Sequence, residues 1–229
     1  MTPNISLEMI EITAQGLREL INSVTFVGGA TAFFYIDDTA SPRIRPTTDV
    51  DCVIEIVSRN EYNSFEKQIR KYGFKDMTGP DDPICRWKYE NVTVDIMPTD
   101  EAILGFTNKW YTDGIHYAEK RRLPSGAEIS IFSLPYFIAT KIEAHKSRGD
   151  TDIRFSTDLE DIVSVLDGQK DLNKLFDAPT KVKEYLMEEF KVLLKNHQFI
   201  ESIQGFISQG PTTLQRTKRI IDFLKDFTS

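Results

Sequence analysis

Phe26-Val27-Gly28-Gly29-Ala30-Thr31, then Thr47-Thr48-Asp49-Val50-Asp51, and later Val92-Thr93-Val94-Asp95 are the stretches whose reading decides the fold. Side chains on a strand alternate between faces, so Asp49 and Asp51 share one face of a sheet. Asp95, inside a second apolar run, joins them if the two strands are neighbours. Asp is depleted from strands, and an unpaired buried carboxylate is costly. Three of them in strands call for a compensating cation, and Mg²⁺ carrying a triphosphate suits carboxylate and phosphate oxygens. The glycine turn at Gly28-Gly29 lets backbone N–H groups approach phosphate closely.

Working outward, hydrophobic spacing predicts an amphipathic opening helix over 7–21, a short buried strand over 24–27 and a short helix beginning at 30. A loop follows over 37–46, where Asp37-Asp38, Ser41-Pro42 and Arg45-Pro46 act as breakers. The pattern then gives a strand over 49–57 and a helix over 60–72 closed by Gly73. Two strands over 85–89 and 92–97, separated only by Glu90-Asn91, read as a hairpin. One more strand is expected over 128–132. From Leu134 onward helical periodicity takes over, and a boundary near 133 divides a core (1–133) from a helical domain (134–229).

At 229 residues the chain suffices for one large domain or two small ones sharing an interface. No run reaches the roughly 18–20 apolar residues of a membrane span, and the start carries Glu8 with no basic region, unlike a secretory signal. Cys52 and Cys85 lie singly in apolar runs and read as reduced core thiols of a cytoplasmic protein. A net charge of −7 argues against indiscriminate nucleic-acid binding.

The three carboxylates point to phosphoryl chemistry. Asp49 and Asp51 would ligate one or two Mg²⁺ ions bridging a nucleotide's phosphates. Asp95 would help to activate an attacking hydroxyl, as general base or through a second ion. Gly28, Gly29 and Thr31 form the phosphate side, though such a glycine pair is often a plain turn. Arg45 and Thr48 lie just before the dyad, where they contact phosphate or brace the loop. Lys141, His145 and Arg148 share one helix stripe. Lys141 sits at the edge of the buried face, either as a triphosphate contact or as part of a solvated side that adds little to packing. Thr157-x-x-Glu160 reads as a capping box, which gives Asp158 and Asp161 a structural explanation. His116 and His197 have no metal-ligand spacing, and Ser125 and Ser133 no nucleophile-elbow context. The basic clusters at 120–122 and 216–219 read as solvated faces more readily than as nucleic-acid contacts.

The Gly28-Gly29…Asp49-x-Asp51…Asp95 pattern resembles the nucleotidyltransferase superfamily of polymerase-beta type. With Leu134-Pro135…Lys141…Arg148…Asp158-x-x-Asp161 it is most similar to the AbiEii/MenT toxin-like nucleotidyltransferases, over about residues 24–166. The resemblance implies an α+β fold, a mixed sheet with flanking helices followed by a C-terminal helical bundle. It implies transfer of an NMP from an NTP to a hydroxyl acceptor, with Mg²⁺ and pyrophosphate release. By resemblance Asp49 and Asp51 are the metal pair, Lys141 a triphosphate contact and Asp158 a further acid at the nucleotide. A tRNA acceptor and an antitoxin protein as partner belong to the same expectation. Gly29 departs from the family's pattern, which usually has Ser there. Aminoglycoside and lincosamide nucleotidyltransferases, acting on small hydroxylated antibiotics, share the glycine pair and the Asp-x-Asp. A silent nucleotide-binding or partner-binding module is the reading from another class.

Overall fold

Alternation decides which face of the sheet is buried. In a computed structural model, which describes residues 5–37, 44–77, 79, 82–149 and 152–229, seven strands form one mixed sheet. They are β1 (Val24–Val27), β2 (Asp49–Ile54), β3 (Lys75–Asp76), β4 (Arg86–Tyr89), β5 (Val92–Pro98), β6 (Glu119–Arg122) and β7 (Glu128–Ile131), in the order β3-β4-β5-β2-β1-β7-β6. The β2–β5 and β1–β7 pairs are parallel and the others antiparallel. The protein is therefore α+β, with helices flanking the sheet and a helical C-terminal region.

The chain divides into two compact units, Met1–Thr31 with Pro46–Ser133, and Ala32–Arg45 with Leu134–Ser229. In the first, Val50 and Cys52 of β2 and Val94 and Ile96 of β5 are wholly buried on one face, beside Trp87. Each such side chain contributes about 1.5–3 kcal/mol. Helix α1 (Ile5–Leu17) lies on this face, and Gly16 makes that possible: a Cβ there would fall 2.6 Å from the Tyr89 ring. Helix α2 (Arg59–Lys71) joins it, with the Arg70 guanidinium 5.0 Å from the centroid of the Trp87 ring and the Tyr62 hydroxyl donating to the Ile96 carbonyl at 3.1 Å. Short helices α3 (Glu101–Leu104) and α4 (Tyr111–His116) complete the unit. The other face carries Asp49, Asp51, Asp95 and Arg86, beside the buried Val27 and Val53.

The second unit is built on α5 (Leu134–Ser147), whose residues from Leu134 to Ile142 are all buried, including Lys141. Around it stand α6 (Thr157–Gly168), α7 (Thr180–Lys195), α8 (His197–Phe206) and α9 (Thr213–Phe227). An edge-on aromatic contact ties α7 to α9, with the Phe190 ring 6.2 Å from Phe227, and Phe176 adds another to α9 at 5.2 Å from Phe227.

The sequence reading left the stretch after the glycine turn with the first half, but Ala32–Arg45 belongs to the helical unit. The cause is aromatic burial. Tyr35 packs 4.7 Å from the Phe137 ring, and Gly168 has no side chain because a Cβ would reach within 2.9 Å of Ile36. The Asp37 amide then donates to the Gly168 carbonyl at 3.0 Å. Most of the loop expected over 37–46 lies outside the described residues. The opening helix also stops short, at Leu17, because Arg18 takes a left-handed backbone angle of φ 51° and a 3₁₀ turn follows.

The basic run 216–219 is largely spent internally. Arg216 grips the buried Asp167 side-on, with Nε 2.8 Å from Oδ1, and Arg219 donates to the Leu166 carbonyl at 3.2 Å and to that of Asp167. Both cations meet the C-terminal end of α6, where helix carbonyls favour positive charge. Arg216→Ala removes the two-pronged contact to Asp167, while the longer Arg219 contact of 3.8 Å stays. We expect a loss of about 2–3 kcal/mol, since hydrogen bonds to a buried charge are worth about that much, read as a lower denaturant midpoint. Arg216→Lys recovers part of it, an ammonium lacking the planar fork. An unchanged midpoint for Arg216→Ala would remove the pair from the stability account.

No helix among the described residues is long and apolar enough to cross a membrane.

Candidate active site

Strand pairing brings the three predicted carboxylates to one face. Asp51 and Asp95 are direct partners in the parallel β2–β5 ladder, and Asp49 lies two residues before Asp51 on the same side. Asp49 is partly exposed, with 27% of its side chain open, while Asp95 is nearly buried. Beside them the chain turns at Gly28, which has φ +73°. A Cβ at Gly28 would come 1.9 Å from Asp51 Oδ2, so only glycine lets the turn lie over that carboxylate. Gly29 opens the following 3₁₀ segment, Gly29–Tyr35. Thr31 is buried and its hydroxyl donates to the Gly28 carbonyl at 2.9 Å, so it holds the turn in shape.

Two residues that sequence reasoning passed over complete this face. Thr47, rather than the exposed Thr48, donates to Asp49 Oδ1 at 3.0 Å. Arg86 is the larger omission. Its Nε and Nη2 each lie 2.8 Å from an oxygen of Asp95, and Nη2 also reaches Asp49 Oδ2 at 3.3 Å. The Asp95 hydrogen bonds, followed by the nearby negative charge, push the guanidinium still further above its already high range. The signal that finds it is register: counting outward from the two-residue Glu90-Asn91 turn places Arg86 directly across from Asp95. The cation that the three strand carboxylates demand is thus in part a side chain of this protein.

That changes the account of a metal. Among the described residues no group of three or more His, Cys, Asp or Glu side chains is arranged to hold one. Asp49 and Asp51, two oxygen donors on one partly open face, fit a hard divalent ion, whereas Asp95 has both oxygens on Arg86.

Arg45, Lys141 and Asp158 belong to the other unit and meet there. The Lys141 ammonium is 3.2 Å from Asp158 Oδ1 and 2.6 Å from Asp161 Oδ2. Arg45 approaches Asp161 at 3.7 Å and Arg148 approaches Asp158 at 3.3 Å. Asp158 also stands in the first turn of α6, where the helix dipole favours a carboxylate. The expected cap is displaced by one residue: Ser156, not Thr157, accepts from the Leu159 amide. Ser156 also bonds His145 Nδ1 at 2.8 Å, and burial lowers that imidazole's pKa against the opposing pull of Asp158. Lys141 is accordingly a buried member of a charge network and no solvated edge residue.

Burial pushes the Cys52 thiol pKa far up, with Asp51 and Asp95 adding to it, and the Cys85 thiol up to about 12 for the same reasons. Both stay protonated at neutral pH and offer no nucleophile. Iodoacetamide at pH 8 should label neither in the native protein and both once it is unfolded. Fast native labelling would show an opening of the sheet that the packing does not anticipate.

A cavity of about 610 Å³ opens at the opposite end of β1 and β2, lined by Asn22, Thr25, Glu55, Glu61 and neighbours. It contains none of the three aspartates, and its carboxylates have no cationic partner lining it. Concavity and chemistry disagree here, and the carboxylate face has the stronger claim because its groups converge. No protein-family model matches the chain, and no curated protein matches its sequence.

Proposed function

We propose that the protein is a metal-dependent nucleotidyltransferase that moves an NMP from an NTP to a hydroxyl acceptor and releases pyrophosphate. The observation that carries the reading is the pairing of Asp51 with Asp95 on adjacent parallel strands, with Asp49 on the same face and the Gly28 turn lying over Asp51. A sheet with ordinary surface polarity has no need of a glycine held at positive φ against a carboxylate. Asp49 and Asp51 would hold Mg²⁺, which supplies charge neutralisation at the phosphates as pyrophosphate leaves. The backbone amides after Gly28 would meet phosphate oxygens, and Thr47 keeps Asp49 oriented. The toxin-like resemblance gives Lys141 and Asp158 a part at the nucleotide, whereas in the helical unit the two are buried and paired with each other.

The same resemblance favours tRNA as acceptor, an antitoxin protein as partner and the cytoplasm as the place of action. The test is incubation with each labelled NTP, Mg²⁺ and total RNA, run beside a panel of aminoglycosides and lincosamides. Label on RNA supports the toxin-like reading, and label confined to the antibiotics replaces it with the small-molecule one. Nucleotide binding by calorimetry, with no pyrophosphate from any acceptor, would reduce the protein to a binding module.

A further inference from the structure

We infer that Arg86 occupies the place of a second metal ion, so that the site takes a single divalent cation, and that Asp95 is a positioning residue for Arg86 rather than a metal ligand or general base. This rests on the nucleotidyl-transfer reading and sharpens it. The geometry is that of a committed pair: both oxygens of Asp95 face Nε and Nη2 of one guanidinium at 2.8 Å, the side-on bidentate arrangement that carboxylate and guanidinium favour. Its position is set by the backbone, because Arg86 and Asp95 are direct partners in the antiparallel β4–β5 ladder. Nor is the pair isolated from the dyad. The same Nη2 lies 3.3 Å from Asp49, and Nη1 is 4.0 Å from Asp82.

Arg86 already supplies a permanent positive charge to Asp49, Asp82 and Asp95. A second ion would enter a region already held by a permanent positive charge, and arginine does not deprotonate to make room. The Arg86 side chain is 24% exposed, and its Nη2 lies beside Asp49 of the dyad. A planar donor there suits a phosphate oxygen, the same chemistry that a second ion would otherwise serve.

Native mass spectrometry of the full chain with Mn²⁺ and an α,β-methylene NTP, which cannot transfer its nucleotidyl group, counts ions directly. Each of the four nucleotides is tried. The wild type should carry one Mn²⁺ per bound nucleotide. Arg86→Met should carry two, because Asp95 is released, and Arg86→Met with Asp95→Asn should return to one. Arg86→Lys, which keeps the charge, should remain at one and guards against a fold failure in the methionine variant. Two ions in the wild type, or one ion in Arg86→Met with the circular dichroism of the native protein, overturns the inference while leaving nucleotidyl transfer standing. No Mn²⁺ and no nucleotide on any form overturns both.

Discussion

Asp51→Asn should leave the fold intact and lower nucleotidyl transfer by about 10²-fold or more, the scale on which preorganised charge stabilisation acts. The substitution is nearly isosteric, so the Gly28 turn that lies against this side chain keeps its shape. Removing one negative charge from a face that also holds Asp49 and Asp95 relieves repulsion, so stability should hold or rise slightly. Activity and melting temperature therefore separate, which distinguishes loss of chemistry from loss of structure. Gly28→Ala tests the same spot from the opposite side. A methyl group 1.9 Å from Asp51 Oδ2 displaces the carboxylate without changing its charge. Full transfer by Asp51→Asn would remove the aspartates from the chemistry.

Lys141→Met should destabilise the helical unit by about 3 kcal/mol, the lower end of what breaking a buried ion pair costs. The value sits at that end because Arg148 and Arg45 still face the two carboxylates left behind. A fall of roughly 10 °C in melting temperature is the corresponding observable. The triple change Lys141→Met, Asp158→Asn, Asp161→Asn should recover most of it, since the uncompensated charges go as well. Sequence spacing alone led to the opposite expectation, that removing an edge lysine would spare the fold. A melting temperature unchanged by Lys141→Met would restore that view.

The contrast shows what the sequence could carry. Strand β5 was legible because Val92, Val94 and Ile96 alternate with polar neighbours, and its hairpin with β4 because only two residues part them. Helix α5 was legible from the helical periodicity of its apolar residues after Leu134. Strand β6 was not, since Glu119-Lys120-Arg121-Arg122 offers no apolar alternation; it is a sheet edge, where charge blunts further pairing. Two-residue β3 is too short and too exposed to leave a pattern. At the site, residue types announced the aspartates, but Arg86 in Arg-Trp-Lys-Tyr looks like any exposed strand residue. Only cross-strand register gives it a meaning, and register belongs to pairs of segments. Thr47 went unread for a similar reason: which of two adjacent threonines faces Asp49 depends on how the chain enters β2.

Assignment of Ala32–Arg45 to the helical unit has a consequence during synthesis. Tyr35 emerges from the ribosome about a hundred residues ahead of Phe137, the ring it packs against. At about 5–20 residues per second that is a wait of roughly 5–20 s with Phe33, Phe34 and Tyr35 uncovered. A nascent chain halted anywhere in that interval presents an aromatic segment to whatever holds unfinished proteins. Ribosome-bound chains ending near residue 133 should therefore be captured by chaperones at this segment, and those ending beyond the helices should be released.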